Sequence, residues 1–143
     1  MNKDLLFARK EEAYQRQFLI EVLRRIKEFP YYLHLLDYVH GSYPYKHQDE
    51  LFHILGIPSE IPNNPKIKGR VELKDYIIEM DEEKHRRLIE FFKKPRFLFS
   101  NVTVIQIKDK KGNSILEAYD HFTAVGTAFD DLEYNPPRWE DFK

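Results

Sequence analysis

Apolar residues recur every three or four positions at the start of the chain: Phe7, Tyr14, Phe18, Val22 and Ile26 fall on one face, with Leu19 and Leu23 beside them. That spacing predicts a long amphipathic helix over 3–28, stopped by Pro30. "PYYLHLLDYVH" then reads as a second, short helix, with Pro30 suited to its first turn and Gly41 where a left-handed cap belongs. A third helix is predicted over 45–55, burying Leu51, Phe52 and Leu55 and ending at Gly56. "GIPSEIPNNPKIKG" follows, and its three prolines and two glycines mark a surface loop over 57–69.

The pattern changes in the second half. "RVELKDYIIEM" is β-branched and partly alternating, as a strand would be. "DEEKHRRLIEFFKKP" puts acids in a first turn behind Asp81 and lysines in a last turn before Pro95, which predicts a capped helix. "RFLFSNVTVIQIKDKKGNSILEAYDHF" holds two apolar runs about a charged, glycine-containing turn, the signature of a β-hairpin, and "TAVGTAF" is a candidate extension of that sheet. Val102 and Val104 alternate with Ile105 and Ile107, so both faces of the first hairpin strand are apolar and helices are expected over one of them. The expected architecture is α+β: N-terminal helices packed on a small, mainly antiparallel sheet with one further helix between its strands. One domain is expected over 1–143, with a helical part at 1–56, sheet plus helix at 70–129, and an extended acidic tail at 130–143 docked through Trp139 and Phe142.

A chain of 143 residues with 42% apolar and 15% aromatic residues is long enough, and apolar enough, to bury a core without staples. It has no cysteine, which excludes disulfides, thiolate metal sites and a cysteine nucleophile and makes the cytoplasm the expected compartment. No apolar run suggests a signal peptide or a membrane span. The net charge of −1 hides an uneven distribution. Residues 31–61 carry four acids and one base, 62–111 carry thirteen bases and eight acids, and the stretch from Ala124 carries five acids and two bases.

Four of the six histidines, His34, His40, His47 and His53, lie within twenty residues, which invites a metal site. Their spacings of six, seven and six include no close pair, and on helices they would point apart. No metal ligands and no cofactor are therefore assigned. The helix–turn–helix outline of the same stretch lacks the bases that phosphate contacts need. Glu60 with Glu72 and Lys74 loosely resembles the acid plus Glu-x-Lys pattern of restriction-type nucleases, in which carboxylates hold Mg²⁺; the resemblance covers a few residues and departs from the family's Pro-Asp pair. A basic set made of Lys84, Arg86, Arg87, Lys93, Lys94, Arg96, Lys108, Lys110 and Lys111, with Phe97 and Phe99 as stacking surfaces, defines a small nucleic-acid-binding protein as the alternative to a protein-binding one. His85 reads as a hydrogen-bonded core histidine.

With no catalytic motif, the expectation is a non-enzymatic cytosolic module that binds another protein through an acidic and aromatic surface suited to a basic partner, in the manner of inhibitor or immunity proteins. The residues expected at that surface are Tyr43, Tyr45, His47, Asp49, Glu50, Arg138 and Trp139, the types that carry interface energy or charge complementarity. Asp130, Asp131 and Glu133 supply further acid. The apolar stripe of the first helix offers a homodimer as another use.

Overall fold

The computed structural model describes residues 2–40, 47–58, 72–97 and 99–142, the side chains at 39, 40, 72 and 142 excepted. Helix α1 (Lys3–Arg25) starts at Asn2, whose side chain accepts from the Asp4 N–H, and ends with Arg24 and Arg25 in its last turn. Its buried residues include Phe18, Leu19, Val22 and Leu23, the face read from the periodicity. The chain then passes through a cis Phe29–Pro30 peptide into a strand, β1 (Tyr31–His40). This corrects the second predicted helix: 31–40 is extended, Pro30 opens no helix, and the N-terminal part is not helical throughout.

The misreading has a physical cause. Tyr31, Leu33 and Leu35 alternate on the buried face, but between Leu35 and Tyr38 the register with the neighbouring strand slips by one residue. Asp37 sits at the slip with left-handed backbone, φ 51°. The slip returns Tyr38 to the core, so Tyr31, Leu35 and Tyr38 stand at i, i+4 and i+7, the spacing of a helix face. Side chains satisfy the irregular backbone: Asp75 accepts from the Asp37 N–H at 2.8 Å, and the Thr103 hydroxyl donates to the Asp37 carbonyl at 3.3 Å.

Helix α2 (Gln48–Leu55) buries Leu51, Phe52 and Leu55 and closes on Gly56 at φ 73°, as its sequence predicts. Strand β2 (Glu72–Met80) leads to helix α3 (Glu82–Phe92), whose cap Asp81 accepts from the Lys84 N–H at 2.8 Å. A 3-10 turn (Phe99–Asn101) precedes the hairpin β3 (Val102–Lys108) and β4 (Ser114–Tyr119), and β5 (Ala124–Thr127) extends the sheet. A short helix, α4 (Trp139–Phe142), ends the described chain. The five strands form one antiparallel sheet in the order β2-β1-β3-β4-β5, and α3 lies between β2 and β3 in sequence, so the architecture is α+β. Leu19 and Leu23 of α1, Leu51 and Leu55 of α2 and Leu88 and Phe92 of α3 meet Leu33, Leu35 and Ile105 of the sheet around one point of the core, which puts all three helices on the same face.

After β4, Asp120 and His121 lie in a left-handed turn. Asp120, His121 and Phe122 have φ of 52°, 58° and 66°. Such backbone costs about 1–2 kcal/mol per residue. Phe122 is fully buried in return, against Phe18, Phe99 and Tyr134, and its carbonyl accepts from Gln15 Nε2 at 3.0 Å and from the Tyr134 hydroxyl. The His121 ring, through Nδ1, sits 3.0 Å from the Val102 carbonyl.

The segment after β5 runs back along α1. Asp131 pairs with Arg25 at 2.6 Å, Tyr14 donates to the Glu133 carbonyl and accepts from the Asn135 N–H, and Trp139 packs edge-on against Phe7 at 5.5 Å. The eight steps from Asp131 to Trp139, at about 3.3 Å each in extended chain, match the eighteen from Arg25 to Phe7 at about 1.5 Å each in helix. Tyr134, wedged between Tyr14, Phe18 and Phe122, is the principal anchor alongside the expected Trp139.

Truncating Phe122 to alanine should cost about 3–5 kcal/mol by chemical denaturation and, because the turn carries the Tyr134 bond, should raise amide exchange along 129–139. His85 is buried, with Nδ1 2.7 Å from the Tyr31 hydroxyl. Burial first, and Lys27 second, hold its pKa below the ordinary 6.5, against an opposing pull from Glu82. The unfolded chain therefore takes up a proton below pH 6.5 that the folded chain resists, so melting temperature should fall on acidification from that pH, and less steeply in His85→Gln.

Candidate functional site

The sheet face opposite the helices is covered by no helix among the described residues, and its side chains follow from strand register. One row crosses all five strands as Ile77, His34, Gln106, Glu117 and Gly126. A second runs Glu79, Tyr32, Lys108 and Ser114, and a third pairs Leu36 with Val104. The face divides into a polar half on β3 and β4 and a more apolar half on β2 and β1.

Glu117 organises the polar half. Its Oε1 accepts from Lys108 Nζ at 2.9 Å and from the Ser114 hydroxyl at 2.7 Å; its Oε2 accepts from Gln106 Nε2 and the Tyr119 hydroxyl, each at 2.7 Å. Burial pushes this carboxyl up, but the bonds from Tyr119, Ser114 and Lys108 outweigh it and bring the pKa down to about 2. Burial, with Lys108 next, lowers the pKa of His34 and favours its neutral form. With four donors satisfied, the Glu117 carboxylate has no lone pair left to take a proton from a substrate. The cluster is thus a hydrogen-bonded polar patch whose carboxylate is held ionised.

The apolar half is exposed. Leu73 and Ile77, at 56% and 66% of full exposure, stand on the outer face of β2 and alternate there with Asp75 and Glu79. Neither carboxylate makes an ion pair among the described residues. Tyr76 and Ile78, on the opposite side of the strand, turn inward, with Tyr76 against Tyr38 and Phe52.

Of the residues expected at a partner surface, His47, Asp49 and Glu50 lie at the start of α2 and Arg138 and Trp139 at the start of α4. Tyr43 and Tyr45 lie outside the described residues. His47 and Glu50 are 3.7 Å apart at the start of α2, Glu50 also pairs with Arg96 at 2.9 Å, and Asp49 is exposed beside them. Arg138 is solvent-facing, 3.7 Å from Asp141, and Trp139 is half-buried on Phe7. Of the other acids, Asp131 is held by Arg25.

The described residues assemble a site for neither alternative reading. Glu60 lies outside the described residues, as does the Glu72 side chain, and Lys74 is half-buried on β2. The basic set is dispersed: Lys93 pairs with Glu90, Arg96 with Glu50 and Lys108 with Glu117, while Lys110 and Lys111 decorate the β3–β4 turn. Phe97 and Phe99 are fully buried and offer no stacking surface, which corrects that expectation. The four clustered histidines are divided between two elements, His34 and His40 on β1, His47 at the cap of α2 and His53 on its exposed side. Among the described residues no group of three or more histidines or carboxylates is placed to hold a metal ion.

Sequence reasoning passed over both halves of the open face. Strict alternation at 73, 75, 77 and 79 was the available signal for the β2 strip, whereas nothing in sequence shows that Gln106 and Glu117 are opposed. Compared with known proteins, the chain matches no family, no curated protein and no solved structure.

Replacing Glu117 by glutamine should lower stability at neutral pH by about 1 kcal/mol, because a neutral amide accepts from Lys108 and Ser114 more weakly. The lowered pKa means that the carboxylate's contribution is present above the ordinary value of 4.5 and is lost as pH falls toward about 2. Urea titrations across that range should show a shallower acid limb in the variant.

Proposed function

We propose that the chain is a non-enzymatic, cytoplasmic protein-binding module that covers part of a basic partner, as inhibitor and immunity proteins do. The observation that carries this reading is the outer strip of β2, where Leu73 and Ile77, the most exposed large aliphatic side chains among the described residues, alternate with carboxylates that make no ion pair among those residues. Exposed apolar residues bordered by polar ones are the surface of a protein that buries them on something else. Acidic neighbours select a basic partner and speed its approach. The cysteine-free composition supports the compartment, and among the described residues no helix is long and apolar enough to cross a membrane.

The strip is the centre of the proposed surface, since Asp131 and Trp139 already have partners within the chain. The exposed acids at the start of α2, and Arg138, remain candidates for its rim.

The test is affinity capture from the cells that encode the chain, with the unaltered protein and a Leu73→Lys/Ile77→Lys variant run side by side. Each exposed side chain contributes about 1 kcal/mol or more when buried, so the unaltered chain should retain a basic protein that the variant loses by about tenfold or more. A chain that retains no protein defeats the reading.

A further inference from the structure

Strand β2 is the end strand of the sheet, and among the described residues its only strand neighbour is β1. Its other edge faces an open groove of about 300 Å³, bounded by Leu55 to Pro58 at the end of α2 and by Tyr76 to Glu79 of the strand. Lys84, at the floor of this groove, donates from Nζ to the Glu79 carbonyl at 3.4 Å. That carbonyl therefore points away from β1. In an antiparallel strand both backbone groups of a residue point the same way and successive residues alternate, so the N–H and C=O of Ile77 and Asp75 face outward as well.

Resting on the protein-binding reading, we propose that this edge receives an extended segment of the partner, which lies along β2 as a sixth strand. Backbone bonds to Asp75, to Ile77 and to the N–H of Glu79, whose carbonyl Lys84 already holds, supply the pairing, and side chains supply the choice of sequence. On the outer face the incoming strand alternates apolar residues against Leu73 and Ile77 with lysine or arginine against Asp75 and Glu79. Its other side chains enter the groove beside Ile57, Tyr76 and Ile78, where Lys84 disfavours a base. A second copy of this chain fits the edge poorly. The antiparallel register that pairs Leu73 with Ile77 opposes Asp75 to itself, the one that pairs Ile77 with itself opposes Asp75 to Glu79, and the one between them sets Asp75 against Ile77 and Leu73 against Glu79, so no self-pairing over 73–79 joins the aliphatic residues without opposing like charges.

The probe is an acetylated, amidated octapeptide with lysine and valine alternating on one face and valine and threonine on the other. Two counterparts accompany it, one with glutamate for lysine and one N-methylated on alternate amides. Fluorescence anisotropy reads affinity and NMR reads shifts at the 73–79 amides. Asp75 also holds the β1 irregularity, so charge is reversed at Glu79 alone. The lysine peptide should bind and shift those amides, the glutamate and N-methylated peptides should each bind about tenfold or more weakly, and Glu79→Lys should reverse the charge preference. Equal binding of the N-methylated peptide, no binding of the lysine peptide at ~1 mM, or a dimer by sedimentation that the lysine peptide fails to dissociate would each overturn strand addition. Capture separates the two levels. A cellular partner lost by Leu73→Lys/Ile77→Lys but held undiminished by Glu79→Lys removes the charged strand and leaves the binding reading standing; no partner for the unaltered chain removes both.

Discussion

Phe122 occupies the point at which three separate parts of the chain are tied together. Its ring joins the aromatic cluster of Phe18, Phe99 and Tyr134, and its carbonyl receives Gln15 from α1 and Tyr134 from the tail. Neither job could be done from a regular strand. The left-handed turn over 120–122 swings the ring into the core and the carbonyl toward α1 at the same residue. The strain is tolerated because ring burial and two hydrogen bonds outweigh it. The position of α1 over the sheet, the path of the tail and the closing of β4 onto β5 all rest on that arrangement.

The helices occupy one side of the sheet, and the hydrophobic core lies between them and it. The other side is left to side chains that can live partly in water: a carboxylate with four donors, two tyrosines, a neutral-leaning histidine, and the short aliphatic strip of β2. Only the strip lacks a local solution. Its carboxylates keep it hydrated without neutralising it, as edge strands of soluble proteins are commonly protected.

Much of the fold was legible from periodicity. Helices α1, α2 and α3 announce themselves by apolar spacing and by their caps at Asp81 and Gly56, and the β3–β4 hairpin by its glycine turn. β1 was hidden because Asp37 breaks its alternation at the one place that converts a period of two into an apparent period near 3.6. Propensity did not correct the error, since Leu and His are at home in helices. The site was less legible for a different reason. Glu117, Gln106 and Lys108 gain their meaning from cross-strand register, which depends on where β1 pairs and thus on the element that was misread. Trp139 and Asp131 look available in sequence and are held by α1, because the tail's docking depends on Tyr134 meeting a cluster assembled from distant segments.

The antiparallel run of the tail along α1 has a consequence for the order in which the molecule is completed. The first helix in the chain finds its aromatic and ionic partners in residues 131–139, among the last of the described sequence. During synthesis α1 must wait, with Phe7 and Tyr14 uncovered, until more than a hundred further residues have emerged. Closure of the structure is thus a late, long-range event, and the nascent helix is the stretch most in need of shelter in the meantime.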